Sequence, residues 1–243
     1  MSVESNIRIP FMKMHGLGND FVVVDGRISR IELTDSLIAA VADRHRGVGF
    51  DQLAVILPSD LDAHLDFYNS DGSKSAACGN ATRCIARFLM SETGKSTLNL
   101  KTDRGILHAV DQGDGITAVN MGHPMLNWNE VPLAHACDTL SLPIDGAPTA
   151  TGMGNPHCTF FVDDAEQVNL EKRGSETEHN VLFPERTNVQ FASVIAPNHL
   201  RMRVWERGVG VTLASGSSSC ATAVAAARRG LTGRSVTIDL DGG

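Results

Sequence analysis

The chain has 243 residues, 42% of them hydrophobic and 20% charged, with a formal charge of −7, the composition of an ordinary soluble protein with one large or two modest domains. The acidic balance and the scattered Lys and Arg argue against a nucleic-acid partner, and no apolar run approaches the roughly 20 residues that a membrane helix needs. The first residues, Met1-Ser2-Val3-Glu4-Ser5, lack the basic and apolar regions of a signal peptide, and five cysteines without framework spacing suit a reducing compartment, so the expected location is cytoplasmic.

In chain order, strands are predicted near 7–14 and 20–25, then a helix capped by Thr34 with Leu37, Ile38 and Val41 at helical spacing. Strands near 52–57 and 63–69 follow, then a helix over 80–91, a strand near 97–102 and a hairpin over 105–121 that turns at Gly113-Asp114-Gly115. The remainder reads as strands near 158–163, 188–195 and 200–206, a short helical stretch around 165–172, and an Ala-rich helix over 217–229 suited to close packing by curved sheet.

These elements repeat. Gly16-Leu17-Gly18-Asn19 before Phe21-Val22-Val23-Val24-Asp25 is echoed by Gly152-Met153-Gly154-Asn155 before Phe160-Phe161-Val162-Asp163. Gln52 before Leu53-Ala54-Val55-Ile56 is echoed by Asn188 before Val189-Gln190-Phe191-Ala192. The offset stays at about 136 residues throughout, the mark of a duplication. The expected organisation is an α+β chain of two homologous halves, 1–122 and 123–243, each mostly strand wrapped around one or two helices. The second half lacks a counterpart of the 107–121 hairpin, which would leave a sheet edge unpaired.

The strongest pair of copies carries chemistry. Asn69 stands nine positions before Cys78, and Glu206 nine positions before Ser215; each pair spans a Gly-containing turn and leads to a small nucleophilic side chain at a helix start. Unpaired N–H groups and the positive end of the helix dipole lower the pKa of a thiol there, making Cys78 a candidate proton acceptor, while the N–H groups of Gly79 and Asn80 suit a carboxylate. No His pair, Cys spacing, phosphate loop or dinucleotide fingerprint indicates a metal or cofactor, so the chemistry is expected to need none. Two similar half-sites suit a reaction with one group on each face of a carbon, such as inversion of an amino-acid stereocentre, with helix N-termini stabilising the carbanion.

The segments H-G-L-G-N-D-F, N-S-D-G-x(5)-C-G-N-A-T-R-C, G-N-P-H, T-N-V-Q-F and W-E-R-G-V-G-x-T resemble those of diaminopimelate epimerase, a pyridoxal-independent enzyme of lysine and peptidoglycan precursor synthesis. The resemblance implies two similar halves, each a curved, mostly antiparallel sheet around a central helix, an active site in the cleft between them, and a homodimer. It makes Cys78 one of two catalytic thiols, with Gly79 and Asn80 on the reacting carboxylate and Gly216 and Ser217 as their counterparts. Asn19, Gln52, Asn69, Asn155, Asn188, Glu206 and Arg207 would bind the rest of diaminopimelate, and His157 and Glu206 would tune the thiols.

Three departures stand beside the match. The family's second motif reads A-C-G-[ST]-G-x-C, whereas this chain reads Ala214-Ser215-Gly216-Ser217-Ser218-Ser219-Cys220, so a hydroxyl replaces the second thiol. Ser218 replaces a Gly, which would strain a turn requiring positive φ, and the family's C-terminal strand pair has no counterpart. Cys220 is expected to point into the core. Three readings follow: an epimerase impaired by Ser215, a single-thiol lyase or dehydratase, and a homologue that binds the amino acid without turnover.

Overall fold

The computed structural model describes residues 8–28, 32–75 and 78–243. Contacts divide it into two units, one comprising the chain up to Gly16 together with Asp20–Asn120, the other Leu17–Asn19 with Met121–Gly243. Each is built on one sheet, and the fold is α+β.

The first unit runs β1 (Met12–Gly16), β2 (Asn19–Asp25), α1 (Asp35–Ala42), β3 (Gln52–Leu57), β4 (Ala63–Asn69), β5 (Lys74–Ser75), α2 (Gly79–Thr93), β6 (Thr97–Thr102), β7 (Gly105–Gly113) and β8 (Ile116–Asn120). The sheet order is β1-β2-β3-β4-β6-β7-β8, with β5 paired to β4. β1 starts later than the sequence suggests because Pro10 offers no N–H to a ladder; Ile7 lies outside the described residues. Thr34 caps α1, its hydroxyl accepting from the Leu37 N–H at 3.2 Å. Asp114 (φ 50°) and Gly115 (φ 80°) make the β7–β8 turn left-handed, as a two-residue hairpin requires.

The strands are buried on both faces. Phe21, Ala54, Leu65 and Phe67 pack with Ile85 and Leu89 of α2, and Val22, Val24, Leu53 and Val55 with Ile38 of α1. Burying each of these larger side chains contributes about 1.5–3 kcal/mol.

The second unit continues with β9 (Thr149–Gly152), β10 (Pro156–Phe161), α3 (Leu170–Glu178), β11 (Asn188–Ala196), β12 (His199–Glu206), β13 (Gly210–Thr212), α4 (Gly216–Arg228) and β14 (Thr237–Asp239). Its sheet order is β13-β12-β11-β10-β9, with β14 paired to β12. The helical stretch expected over 165–172 resolves into a 3-10 turn, Ala165–Gln167, and α3, because Asp164 and Asn169 each accept a capping N–H and start a new element.

The two sheets share a register. Phe21 faces Gln52 in the parallel β2–β3 pair as His157 faces Asn188 in the parallel β10–β11 pair. Phe67 faces Ser75 across β4–β5 as Val204 faces Thr212 across β12–β13. β7 and β8 have no partner in this correspondence: among the described residues β14 is the last strand, and it pairs with β12.

The interiors differ. The α3-facing side of the second sheet is apolar, with Cys158, Phe160, Val189 and Phe191. Along β9–β11, the strands that contact α4, Thr149, Thr151, His157, Thr159 and Gln190 are all fully buried, together with Ser218 and Thr222 of α4 itself.

Candidate active site

In the first unit the site is built from a strand end and a helix start. Gln52 opens β3 opposite Asn69, the last residue of β4, and its Nε2 donates to Asn69 Oδ1 at 3.2 Å. Asn69 Nδ2 in turn donates to Ser73 Oγ at 3.0 Å, tying it into the turn toward α2. Cys78 is the N-cap of α2 in extended conformation, and its Sγ accepts from the Ala81 N–H at 3.4 Å. Thr82 donates both its N–H (2.9 Å) and its hydroxyl (2.7 Å) to the Cys78 carbonyl. The sulfur therefore sits among the first N–H groups of the helix, where negative charge is favoured, with Gly79 and Asn80 beginning the helix beside it.

Four charges pin the start of β3. Asp20 and Asp51 exchange backbone N–H to carboxylate bonds at 3.0 and 3.1 Å, and Arg44 spans both carboxylates at 2.7–3.0 Å. Burial works against the Asp20 carboxylate, but Arg44 and Lys13 outweigh it and hold its pKa well below the ordinary aspartate range.

The second unit repeats the device. Ser215 is the N-cap of α4 in the same extended conformation, and Ser219 donates its N–H (3.0 Å) and hydroxyl (2.9 Å) to the Ser215 carbonyl, as Thr82 does to Cys78. The one local difference is that the Ser215 side chain makes no capping bond. Gly216 and Ser217 open the helix in the places of Gly79 and Asn80. Ser218 is the third residue of α4 and not at positive φ, so the strain expected of it from sequence is absent: a helical backbone is open to any L-residue.

Glu206 ends β12 and accepts from Thr212 Oγ1 at 2.9 Å. Asn188, buried, accepts the Arg207 N–H at 3.0 Å and donates to the Pro156 carbonyl at 2.9 Å, and Arg207 Nη1 donates to the Glu185 carbonyl at 3.1 Å. Asn155 accepts from the His157 ring at 2.9 Å in a turn whose Gly154 has φ 88°, matching Gly18 at φ 86° before Asn19. Both glycines supply a left-handed step that brings an amide side chain to the start of a strand.

A model of the family described as diaminopimelate epimerase matches residues 11–126 and 149–243. The chain belongs to the diaminopimelate epimerase family. A diaminopimelate epimerase of Rhodospirillum centenum is 51% identical over 240 residues, covering 96% of this chain and 82% of that relative. One of Acidiphilium cryptum is 50% identical, covering 96% and 86%. Solved structures share the fold at low identity. A probable proline racemase from Agrobacterium radiobacter superposes with a TM-score of 0.66 at 16% identity, covering 92% of this chain and 78% of that one. For a hydroxyproline epimerase from Agrobacterium vitis the values are 0.61, 14%, 91% and 77%.

In this member of the diaminopimelate epimerase family, sequence reasoning overlooked two supports. The Asp20–Arg44–Asp51 network was legible only as scattered charge. Glu178, 2% exposed, accepts from Trp205 Nε1 at 2.7 Å and from the Gly208 N–H at 2.9 Å, with Arg186 Nη1 at 3.6 Å; it ends α3 and nothing in the local sequence marks it. Cys220, expected in the core, is half-buried, because the inward face of α4 is formed by Ser218, Ala221, Thr222 and Ala225, and the helical phase turns position 220 aside. Among the described residues, His64, Asp66 and Asp103 bring potential metal ligands within 4.8 Å of one another, but Lys74 already bridges Asp66 and Asp103 at 3.2 and 3.4 Å. An ammonium occupies the cationic position.

Proposed function

We propose that this chain acts on diaminopimelate, interconverting the L,L and meso isomers in lysine and peptidoglycan precursor synthesis, as a homodimer of chains whose duplicated halves are residues 1–122 and 123–243. In the proposed reaction a proton carrier takes the α-hydrogen from one face. The C–H electron pair remains as a carbanion delocalised into the α-carboxylate, and a proton is delivered to the opposite face. The observation that carries this reading is the shared construction of the two helix starts, which place Cys78 and Ser215 at the same N-cap position in the same extended conformation.

Cys78 is the competent carrier, and the N–H groups of Gly79, Asn80, Gly216 and Ser217 stabilise charge on the carboxylate. Asn19, Gln52, Asn69, Asn155, Asn188, Glu206 and Arg207 hold the rest of the substrate, amides and one guanidinium against carboxylates and a carboxylate against ammonium. Glu206 biases proton affinity at the second position. A serine hydroxyl is too weak an acid to share a proton with carbon unaided, so turnover is impaired by the loss of a group worth about 10² to 10⁴ in rate.

Deuterium exchange tests this directly. In deuterated water, one of the two isomers should take up deuterium at the α-carbon with retention and little interconversion, and Cys78→Ala should abolish the uptake without abolishing binding. Uptake in both isomers, or uptake surviving Cys78→Ala, would assign proton removal to another group; binding with no uptake in either isomer would leave a non-catalytic amino-acid-binding protein.

A further inference from the structure

Beneath α4 lies a chain of buried polar groups that runs from Thr159 through Gln190 and His157 to Asn155. Thr159 Oγ1 donates to Gln190 Oε1 at 3.1 Å, and the Gln190 amide nitrogen is turned the other way, toward α4. The amide nitrogen lies 3.0 Å from Ser218 Oγ and 3.1 Å from His157 Nδ1. Its two hydrogens serve these two neighbours, so Nδ1 is an acceptor and the ring proton sits on Nε2. Nε2, 2.9 Å from Asn155 Oδ1, therefore donates to it. The bond turns the Asn155 carbonyl oxygen toward the ring and leaves its NH2 group as the outer end of the chain, on a residue that is itself partly exposed.

The first unit shows that the fold does not need this arrangement. At the corresponding places it carries Phe21 for His157, Val23 for Thr159, Ala54 for Gln190 and Ala81 for Ser218, and these pack as ordinary apolar core. The second unit replaces them with groups that each need a hydrogen-bond partner when buried, and the four satisfy one another in a single direction, from hydroxyl to amide to imidazole to Asn155. An amide flipped at Asn155 would face its NH2 against the Nε2 proton, two donors in contact.

We propose that Gln190 is a positioning residue that acts through His157 to hold Asn155 as a hydrogen-bond donor, so that this point of the site accepts a carboxylate oxygen of the amino acid and rejects its ammonium group. The inference rests on the reading of Asn155 as a substrate-binding residue.

The tautomer is open to direct observation on the whole chain. With 15N-labelled histidine, and the His157→Gln spectrum to assign the ring, His157 should show a pyridine-type Nδ1 and a pyrrole-type Nε2; a protonated Nδ1 in the unaltered protein overturns the proposal without any further variant. Calorimetric titration with diaminopimelate tests the consequence. Asn155→Asp keeps an acceptor for His157 but offers no donor, and it should weaken binding at least tenfold, as much as Asn155→Ala or more. Gln190→Glu cannot donate to Nδ1, and should both protonate that nitrogen in the spectrum and weaken binding at least tenfold. If Asn155→Asp binds like the unaltered protein, the position takes an ammonium and the proposal is wrong. If Asn155→Ala is also without effect, it is the placement of Asn155 in the site that fails. If Asn155→Ala weakens binding while Gln190→Glu does not, the site stands and the role given to Gln190 falls.

Discussion

Replacing Glu178 should show how far one buried carboxylate supports the turn that carries Glu206 and Arg207. In Glu178→Ala two donors lose their acceptor, the Trp205 indole N–H and the Gly208 backbone N–H. Each left unsatisfied costs about 1–3 kcal/mol, while Arg186, whose side chain is 55% exposed, returns to water at little cost. A loss of about 3–5 kcal/mol is expected, the scale seen when one partner of a buried charged group is removed. Glu178→Gln retains one acceptor oxygen and should lose about half as much. Urea unfolding followed by tryptophan fluorescence gives both values, with Trp205 reporting its own hydrogen bond. Because Gly208 follows Arg207 directly, both variants should also bind diaminopimelate more weakly. Losses under 1 kcal/mol in both, or equal losses in the two, would show that the carboxylate is not what holds the turn.

Ser215→Cys should raise epimerase turnover at least about 10²-fold, measured by isomer interconversion, since it restores the second thiol at a helix start already formed around residue 215. Asp20→Asn should cost about 1–3 kcal/mol near neutral pH by removing charge-assisted bonds to Arg44 and Lys13. Because the folded pKa of Asp20 lies below the ordinary value of 3.8, its stabilisation is complete above that value and drains away as pH falls through the folded pKa. Unfolding curves of the two proteins should therefore differ at neutral pH and converge in acid, and a constant difference would refute the assignment. Gly174→Ala should destabilise by about 1–3 kcal/mol in the same urea assay, because a Cβ there would stand 2.6 Å from Trp205 Cβ and Cγ with no room to relax.

Local patterns made much of this molecule legible before its structure. Thr34 announced α1, Gly113-Asp114-Gly115 the β7–β8 turn, and the repeat of Gln52 and Asn188 before apolar runs gave two equivalent strands. The strands that escaped, β5, β9, β13 and β14, have two to four residues, too few for alternation to register. At the site, motif spacing brought forward Cys78, Ser215 and Glu206, since each ends or begins an element, and the family resemblance added Arg207 in the turn after β12. Glu178 and Asp20 escaped because their worth lies in partners far along the chain, Trp205 for one and Arg44 and Asp51 for the other. Gln190 stood in plain view within T-N-V-Q-F, but nothing in one sequence says that an amide is bonded to a histidine 33 positions away.

The contrast between the apolar face under α2 and the polar face under α4 has a thermal consequence. Exposing apolar surface raises heat capacity on unfolding and exposing polar surface lowers it. The stability of the first sheet should thus curve strongly with temperature and weaken in the cold, whereas that of the second should follow a flatter course. Chilling would loosen the half that carries the thiol before the half that carries the hydrogen-bonded histidine.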